Sequence, residues 1–201
     1  LTFLAVVKDS EGRYVYRGTA TKNVTAANYG ESITLPAEAG FLPGDVGPAG
    51  GWVFYDSGNY SDLPSAGGWR YLEAAPQGVS AAPWGAAGVR VGSSGTGLGT
   101  GAGNSSLILA AQGEAAATAS GACASYAVNG FSDWFLPSRD EASRMYLELV
   151  AAGITTLGSG AHWTSSEYAT ATASSVDLAT GARVFAADKT LPKPSRPARQ
   201  Y

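Results

Sequence analysis

Few side chains in this sequence carry the chemistry of a catalyst or a metal ligand, and their spacing limits what the chain can do. Cys123 is the sole cysteine and His162 the sole histidine. One cysteine permits neither an intrachain disulfide nor a cysteine-cluster metal site. A catalytic thiol needs an adjacent base, and His162 has no acidic companion in its immediate sequence. Cys123 therefore reads as a small buried apolar residue. His162 reads as a satisfied, partly buried ring, because a metal site needs several ligands. The carboxylates Asp56, Glu73, Asp133, Asp140 and Glu167 are available for hydrolytic chemistry, but nothing in the sequence brings two of them together. Asp133 and Asp140 also lack the oxygen-ligand spacing of a calcium loop. The run GTGLGTGAG from Gly95 to Gly103 invites comparison with phosphate-binding loops. No Gly-Lys-Ser/Thr follows it, and Glu114 comes too early to be the acidic residue of a dinucleotide fingerprint. It reads instead as a loop whose backbone packs tightly before a helix. No metal and no cofactor is expected.

The totals narrow the partners. The chain has 201 residues, 13 Lys and Arg against 16 Asp and Glu, and a net charge of −3. That length fits one domain, or one domain with a small appendage, and the charge excludes a basic nucleic-acid footprint. No apolar run approaches the ~20 residues of a membrane span. The sequence begins at Leu1 rather than Met, so a signal peptide or lipid anchor is expected upstream. Any membrane attachment would then come from an anchor outside this chain. A monomer is expected.

The elements that must position these residues are organised around Asn129–Glu141, NGFSDWFLPSRDE. Asn129-Gly130 is a turn dipeptide. Trp134-Phe135-Leu136 is one short buried strand, stopped by Pro137, which lacks an N–H. Ser138 lies three residues before Glu141, the spacing of a capping box. Ala142, Met145, Leu149 and Ala152 follow at helical spacing, and Gly153 ends the helix. Upstream, Thr2–Val7, Tyr14–Tyr16 and Ile33–Leu35 read as strands. Pro36–Pro48 reads as a linker, which places a boundary near residue 45 between an N-terminal β segment (1–45) and the main domain (46–201). In the main domain, Gly50–Asp56, Trp69–Ala75 and His162–Tyr168 are strands. Asn104 is placed to cap a helix that Gly113 and Gly121 divide into one or two pieces. Val176–Leu178 and Val184-Phe185 suggest strands around a turn at Thr180-Gly181.

The motifs GGWVFYD, WRYLEAAP, GTGLGTGAGN, NGFSDWFLPSRDEASRMY, HWTSSEY and RPAR occur in that order over residues 46–201. Together they resemble the bacterial domain family first described at the C-terminus of the Legionella collagen-like protein. The resemblance implies extracellular or surface-attached binding modules, some with the C-type lectin fold. One branch comprises the variable proteins of diversity-generating retroelements, and the chain looks closest to the spirochaete (Treponema) members of that branch. Segment 169–195 carries that choice. Fixed members are rich there in Asn, Tyr and Trp, whereas this chain has mainly Ala, Thr, Ser, Asp, Arg and Phe. Of those residues only Lys189 and Lys193 are unreachable by randomising adenines in asparagine codons.

The resemblance and the pattern together predict an α+β domain of the C-type lectin type. Two helices, about 104–118 and 138–152, flank small antiparallel sheets. The N- and C-terminal strands of the domain should meet and leave 163–195 on one exposed face. The variable segment spans about 163–199. Its retained frame is Glu167, Tyr168, Val176, Leu178, Gly181, Lys189, Arg196, Pro197 and Arg199. Its ligand-binding positions are Ala169, Thr170, Thr172, Ser174, Ser175, Asp177, Ala179, Thr180, Ala182, Arg183 and Phe185. The expected function is non-enzymatic binding of a protein or other macromolecule at the cell surface, through a lipid-anchored outer-membrane protein with massive sequence variation. The calcium-binding Glu-Pro-Asn, Gln-Pro-Asp and Trp-Asn-Asp motifs of sugar-binding lectins are missing. So are the paired cysteines of the related formylglycine-generating enzymes. The alternative is a fixed adhesin for acidic or sulfated glycans, using Arg183, Lys189, Lys193, Arg196 and Arg199.

Overall fold

Two strands near the N-terminus form a hairpin. β1 (Thr2–Lys8) runs antiparallel to β2 (Tyr14–Thr21), with Thr2 opposite Thr21 and Val7 opposite Tyr16. The computed structural model describes residues 2–8 and 14–21 by their backbone, and residues 41–57, 68–112 and 117–201 with side chains. The expected strand Ile33–Leu35, most of the loop 56–68, Gly113 and Glu114 lie outside the described residues. The chain divides into two units between Leu42 and Pro43, inside the Pro36–Pro48 stretch.

The larger unit is mixed α+β, with three helices and small antiparallel sheets among the described residues. In order these are β3 (Trp52–Asp56), β4 (Tyr71–Ala74), β5 (Val79–Ala82), α1 (Gly101–Gln112), α2 (Ala119–Ala124) and α3 (Arg139–Met145), continued by a π turn (Tyr146–Val150). Then come β6 (Ala161–Ala169), β7 (Thr172–Asp177), β8 (Arg183–Asp188), β9 (Lys193–Ser195) and β10 (Ala198–Gln200). Three sheets result, ordered β10-β4-β3, β5-β9 and β6-β7-β8.

The first and last strands of this unit share a sheet without pairing with each other. β4 lies between them, with Ala74 opposite both Trp52 and Ala198. That corrects the expectation that they meet, since each pairs with β4 instead. Central β4 carries Glu73, which is fully buried and takes its cation from Arg199 on β10.

The run Trp134–Leu136 is buried as expected, but it pairs only through the bridge of Phe135 to Ala198. Its neighbours commit their backbone elsewhere. The Leu136 N–H donates to Ser105 Oγ, and the Pro137 carbonyl accepts from the Ser165 N–H.

The helices also differ from their expected bounds. α1 starts earlier, at Gly101, and Asn104 does not cap it. Its Nδ2 donates instead to the Gly95 carbonyl (2.6 Å) and to Ser165 Oγ (3.2 Å). α2 is a separate helix whose cap, Thr118, accepts from the Gly121 N–H. α3 has both halves of the capping box. Ser138 Oγ accepts from the Glu141 N–H, and Glu141 Oε2 accepts from the Ser138 N–H. Glu141 does more than cap, because its other oxygen accepts from the N–H groups of Gly99 (2.7 Å) and Gly101 (3.3 Å). A Cβ on Gly101 would run into that carboxylate and the Phe135 ring. The glycine-rich run is thus a tightly packed loop whose N–H groups are taken by an internal carboxyl.

Two main apolar clusters hold these layers. One joins Phe54, Leu72, Phe135, Met145, Leu149, Val176 and Leu178. The other joins Trp84, Ile108, Leu136, Trp163 and Ala173. Each indole also has a polar partner. Trp84 Nε1 donates to the Thr164 carbonyl and Trp163 Nε1 to the Ala82 carbonyl. Truncating either indole to alanine is expected to cost about 3–5 kcal/mol.

Candidate functional site

The candidate site rests on ion pairs that the sequence alone did not bring together. Glu167, near the end of β6, has a sealed carboxylate. It accepts the N–H groups of Val91 (2.9 Å) and Gly92 (2.7 Å) and the Lys189 ammonium (2.6 Å). Lys189 Nζ also donates to the carbonyls of Val89 and Thr170, each at 3.0 Å. An ammonium has three N–H donors, so this one is fully satisfied, and it lies 4.5 Å from the Trp84 ring centre. Burial pushes the Glu167 carboxyl up, but its bonds to Lys189 and the two backbone N–H groups outweigh that, and the net direction is down. The clamp ties the 89–92 loop and the β6–β7 turn to the end of β8.

Arg199 plays the same part for the other sheet. Its Nε and Nη2 each lie 2.9 Å from an oxygen of Asp133, and Nη1 lies 3.2 Å from Glu73 Oε2. The Phe131 ring covers the guanidinium at 4.2 Å. Burial alone would raise the Asp133 carboxyl, yet Arg199 holds it below the usual range. Glu73 also accepts the Gly51 N–H (2.8 Å). Two carboxylates thus share one arginine, and both are committed as its acceptors.

Above this frame, β7 and β8 form a hairpin. Asp177 Oδ1 accepts from the N–H groups of Ala179 (2.8 Å) and Thr180 (3.1 Å), an Asx-type turn. Gly181 follows at φ +74°, and a Cβ there would enter the Tyr146 ring. Glycine is required twice over, by conformation and by contact with the π turn. β8 is the edge strand of its sheet, and residues 183–186 are exposed. Arg183 points to Asp140 at 3.7 Å, and Arg139 lies over the Phe185 ring at 5.5 Å. Arg139 and Asp140 are themselves paired at 3.0 Å. The start of α3 therefore joins the hairpin face, which sequence reasoning missed because these residues lie outside the 169–195 segment.

Of the predicted positions, Thr170, Ala179, Thr180, Ala182, Arg183 and Phe185 are exposed, and Ala169, Thr172 and Asp177 are half-buried. Ser174 and Ser175 are buried, at 3 % and 0 % exposure, which corrects their assignment to a binding face. They sit in β7, the central strand, with β6 and β8 on its two edges and α3 packed against it. The expected single exposed face over 163–195 is corrected for the same reason, since His162–Glu167 of β6 are buried. Asp177 is occupied by its turn. Within the expected frame, Glu167, Val176, Leu178, Lys189, Arg196, Pro197 and Arg199 are buried, but Tyr168 is 58 % exposed.

The basic groove of the glycan alternative does not form. Lys189, Arg196 and Arg199 are buried, Lys193 lies over Trp163, and Arg183 faces Asp140. Cys123 is buried in the second cluster, where burial drives its thiol far above the usual range. His162 Nδ1 donates to the Gly160 carbonyl at 2.8 Å. Among the described residues no group of three or more His, Cys, Asp or Glu is placed to hold a metal. No helix among them is long and apolar enough to cross a membrane.

No family model matches this chain, and no curated protein matches it. The functional reading therefore stands on the hairpin face and the frame beneath it.

Proposed function

We propose that this chain is a non-enzymatic, surface-displayed binding protein with a C-type lectin-like fold, whose β7–β8 hairpin face is diversified by a retroelement. On this reading the chain is similar to the Treponema variable protein. One observation carries the proposal. The side chains of Thr170, Ala179, Thr180, Ala182, Arg183 and Phe185 are exposed, while the residues between and around them are held by the Glu167–Lys189 pair, the Asp177 turn and Gly181. Exposed positions accept many side chains without loss of the fold. Small residues there also lose little side-chain entropy on binding. Phe185 and Arg183 are the large contacts of this variant. The return of β10 to the sheet of β3 and β4 supports the lectin-like kinship. The ligand on this reading is a protein or other macromolecule, and attachment to the outer membrane runs through a lipid anchor outside these residues.

The test is deep sequencing of the 3′ end of the gene across one growing population. Variation should fall on the codons for the exposed positions, with those for Gly181, Lys189, Arg196 and Arg199 constant. An invariant segment, or variation spread evenly over buried and exposed codons, would end this reading.

A further inference from the structure

The start of α3 meets the hairpin with two guanidiniums and one carboxylate. Arg139 Nε lies 3.0 Å from Asp140 Oδ1, and its Nη2 lies 3.5 Å from Oδ2. Arg183 Nη1 reaches only 3.7 Å from the same Oδ1, too far for a hydrogen bond. An arginine side chain has five N–H donors, and those of Arg183 find no hydrogen-bond acceptor among the described residues. With the side chain 40 % exposed, they are open to solvent. The hairpin's two carboxylates are engaged in their own turns. Asp177 accepts the N–H groups of Ala179 and Thr180, and Asp188 accepts the N–H and hydroxyl of Thr190. Arg139, Asp140 and Arg183 together thus carry one uncompensated positive charge. Phe185, which is 47 % exposed, adjoins them with Arg139 over its ring.

We propose that this face binds a protein surface that presents an Asp or Glu carboxylate to the Arg183 fork and an apolar side chain to Phe185. The proposal rests on the reading of the hairpin as the binding face and adds the chemistry of its partner. A carboxylate offers the planar fork two oxygens at once, and the incoming group replaces the loose contact to Asp140. Arginine and aromatic side chains are the commonest anchors of protein interfaces. A polyanionic glycan would need a row of exposed cations, and Lys189, Arg196 and Arg199 are buried. One open fork beside one ring is complementary to a single carboxylate on an otherwise apolar patch.

A yeast-displayed library of single-domain scaffolds with randomised loops supplies the probe. Clones sorted on the wild-type chain and counter-sorted on Phe185→Ala are the binders of this face. Their loops should be enriched in Asp and Glu over the unsorted library. Arg183→Glu should weaken them by at least ~10-fold, and changing a clone's enriched acid to Lys should restore its binding to R183E. That recovery could not occur on an unfolded chain. Asp140→Asn removes the internal competitor and should strengthen binding about 3-fold. Loops without acid enrichment, binding that R183E leaves unchanged, or weaker binding to D140N each overturn the proposal. So does a sort in which every clone binds F185A as well as the wild type. Acid-rich binders of a chain whose gene proves invariant would keep this proposal and end the diversification reading. Acid-free binders of a chain whose gene varies would do the reverse.

Discussion

The hairpin tip and the segment that closes the sheets are near neighbours in sequence and obey opposite rules. Arg183 has a side chain 40 % exposed and a carboxylate at 3.7 Å. Arg199 has a side chain 6 % exposed, a bidentate carboxylate at 2.9 Å and a second carboxylate behind it. A solvated pair like the first contributes at most about 1 kcal/mol. That second carboxylate, Glu73, is sealed with Arg199, and removing one partner of such a pair is destabilising by several times that. Side-chain type does not separate the two regions, since both use arginine and aspartate. Burial separates them, and with it the freedom of each position to change.

The strongest way to break that comparison is Lys189→Met. It strands the sealed Glu167 carboxylate and is expected to cost about 3–5 kcal/mol, read from urea unfolding. Adding Glu167→Gln should recover part of the loss. A cost below about 1 kcal/mol for K189M would place this pair with the surface ones.

The next effect is on pH dependence. Burial without a cation pushes the Glu141 carboxyl from 4.5 up to about 7, despite its backbone N–H partners. A raised folded-state value means the neutral form stabilises the fold. That contribution is complete below 4.5 and is lost as the pH rises through about 7. The span corresponds to about 3 kcal/mol. Glu167 and Asp133 act in the other direction, since their lowered values give stability that disappears as the pH falls through them. Glu141→Gln keeps an acceptor for the capping box and should flatten only the slope between pH 4.5 and 7. An unchanged slope there would refute the assignment.

Smaller losses sharpen the comparison. Arg199→Lys replaces the bidentate contact with a single point charge and is expected to cost about 2 kcal/mol in thermal or urea unfolding. Ser138→Ala removes one half of the capping box, a loss of about 1 kcal/mol. Phe185→Ala and Arg183→Ala should each stay within about 0.5 kcal/mol of the wild type. A larger loss at either position would show that the hairpin face supports the fold, and its exposed positions would then not be free to vary.

How far the sequence reaches follows the range of the interaction. Local signals were readable. The capping box at Ser138 and Glu141, the strand over His162–Tyr168 and the turn at Gly181 depend on residues a few positions apart, and all three are present. Asn104 satisfied the same local rule yet bonds across to Gly95 and Ser165, because tertiary partners outbid a cap. The run at Trp134 has the composition of a strand, but its pairing was decided by Ser105 and Ser165, which no local pattern exposes. In the candidate site, the alternation of small residues over 172–177 could not distinguish an exposed strand from a central one. Serine is small enough to be buried in β7 and polar enough to suggest solvent. The pairings of Glu73 with Arg199 and Glu167 with Lys189 join residues 126 and 22 positions apart, and only the folded chain reveals them.

The partner of Glu73 lies downstream of the whole 169–195 segment. A frameshift anywhere in that segment therefore changes Arg199 as well as the hairpin. Glu73 is then left without its cation, and Ala74 without Ala198 across the sheet. Reading-frame errors are converted into misfolding, so chains that reach a folded state have been proofread by their own last strand.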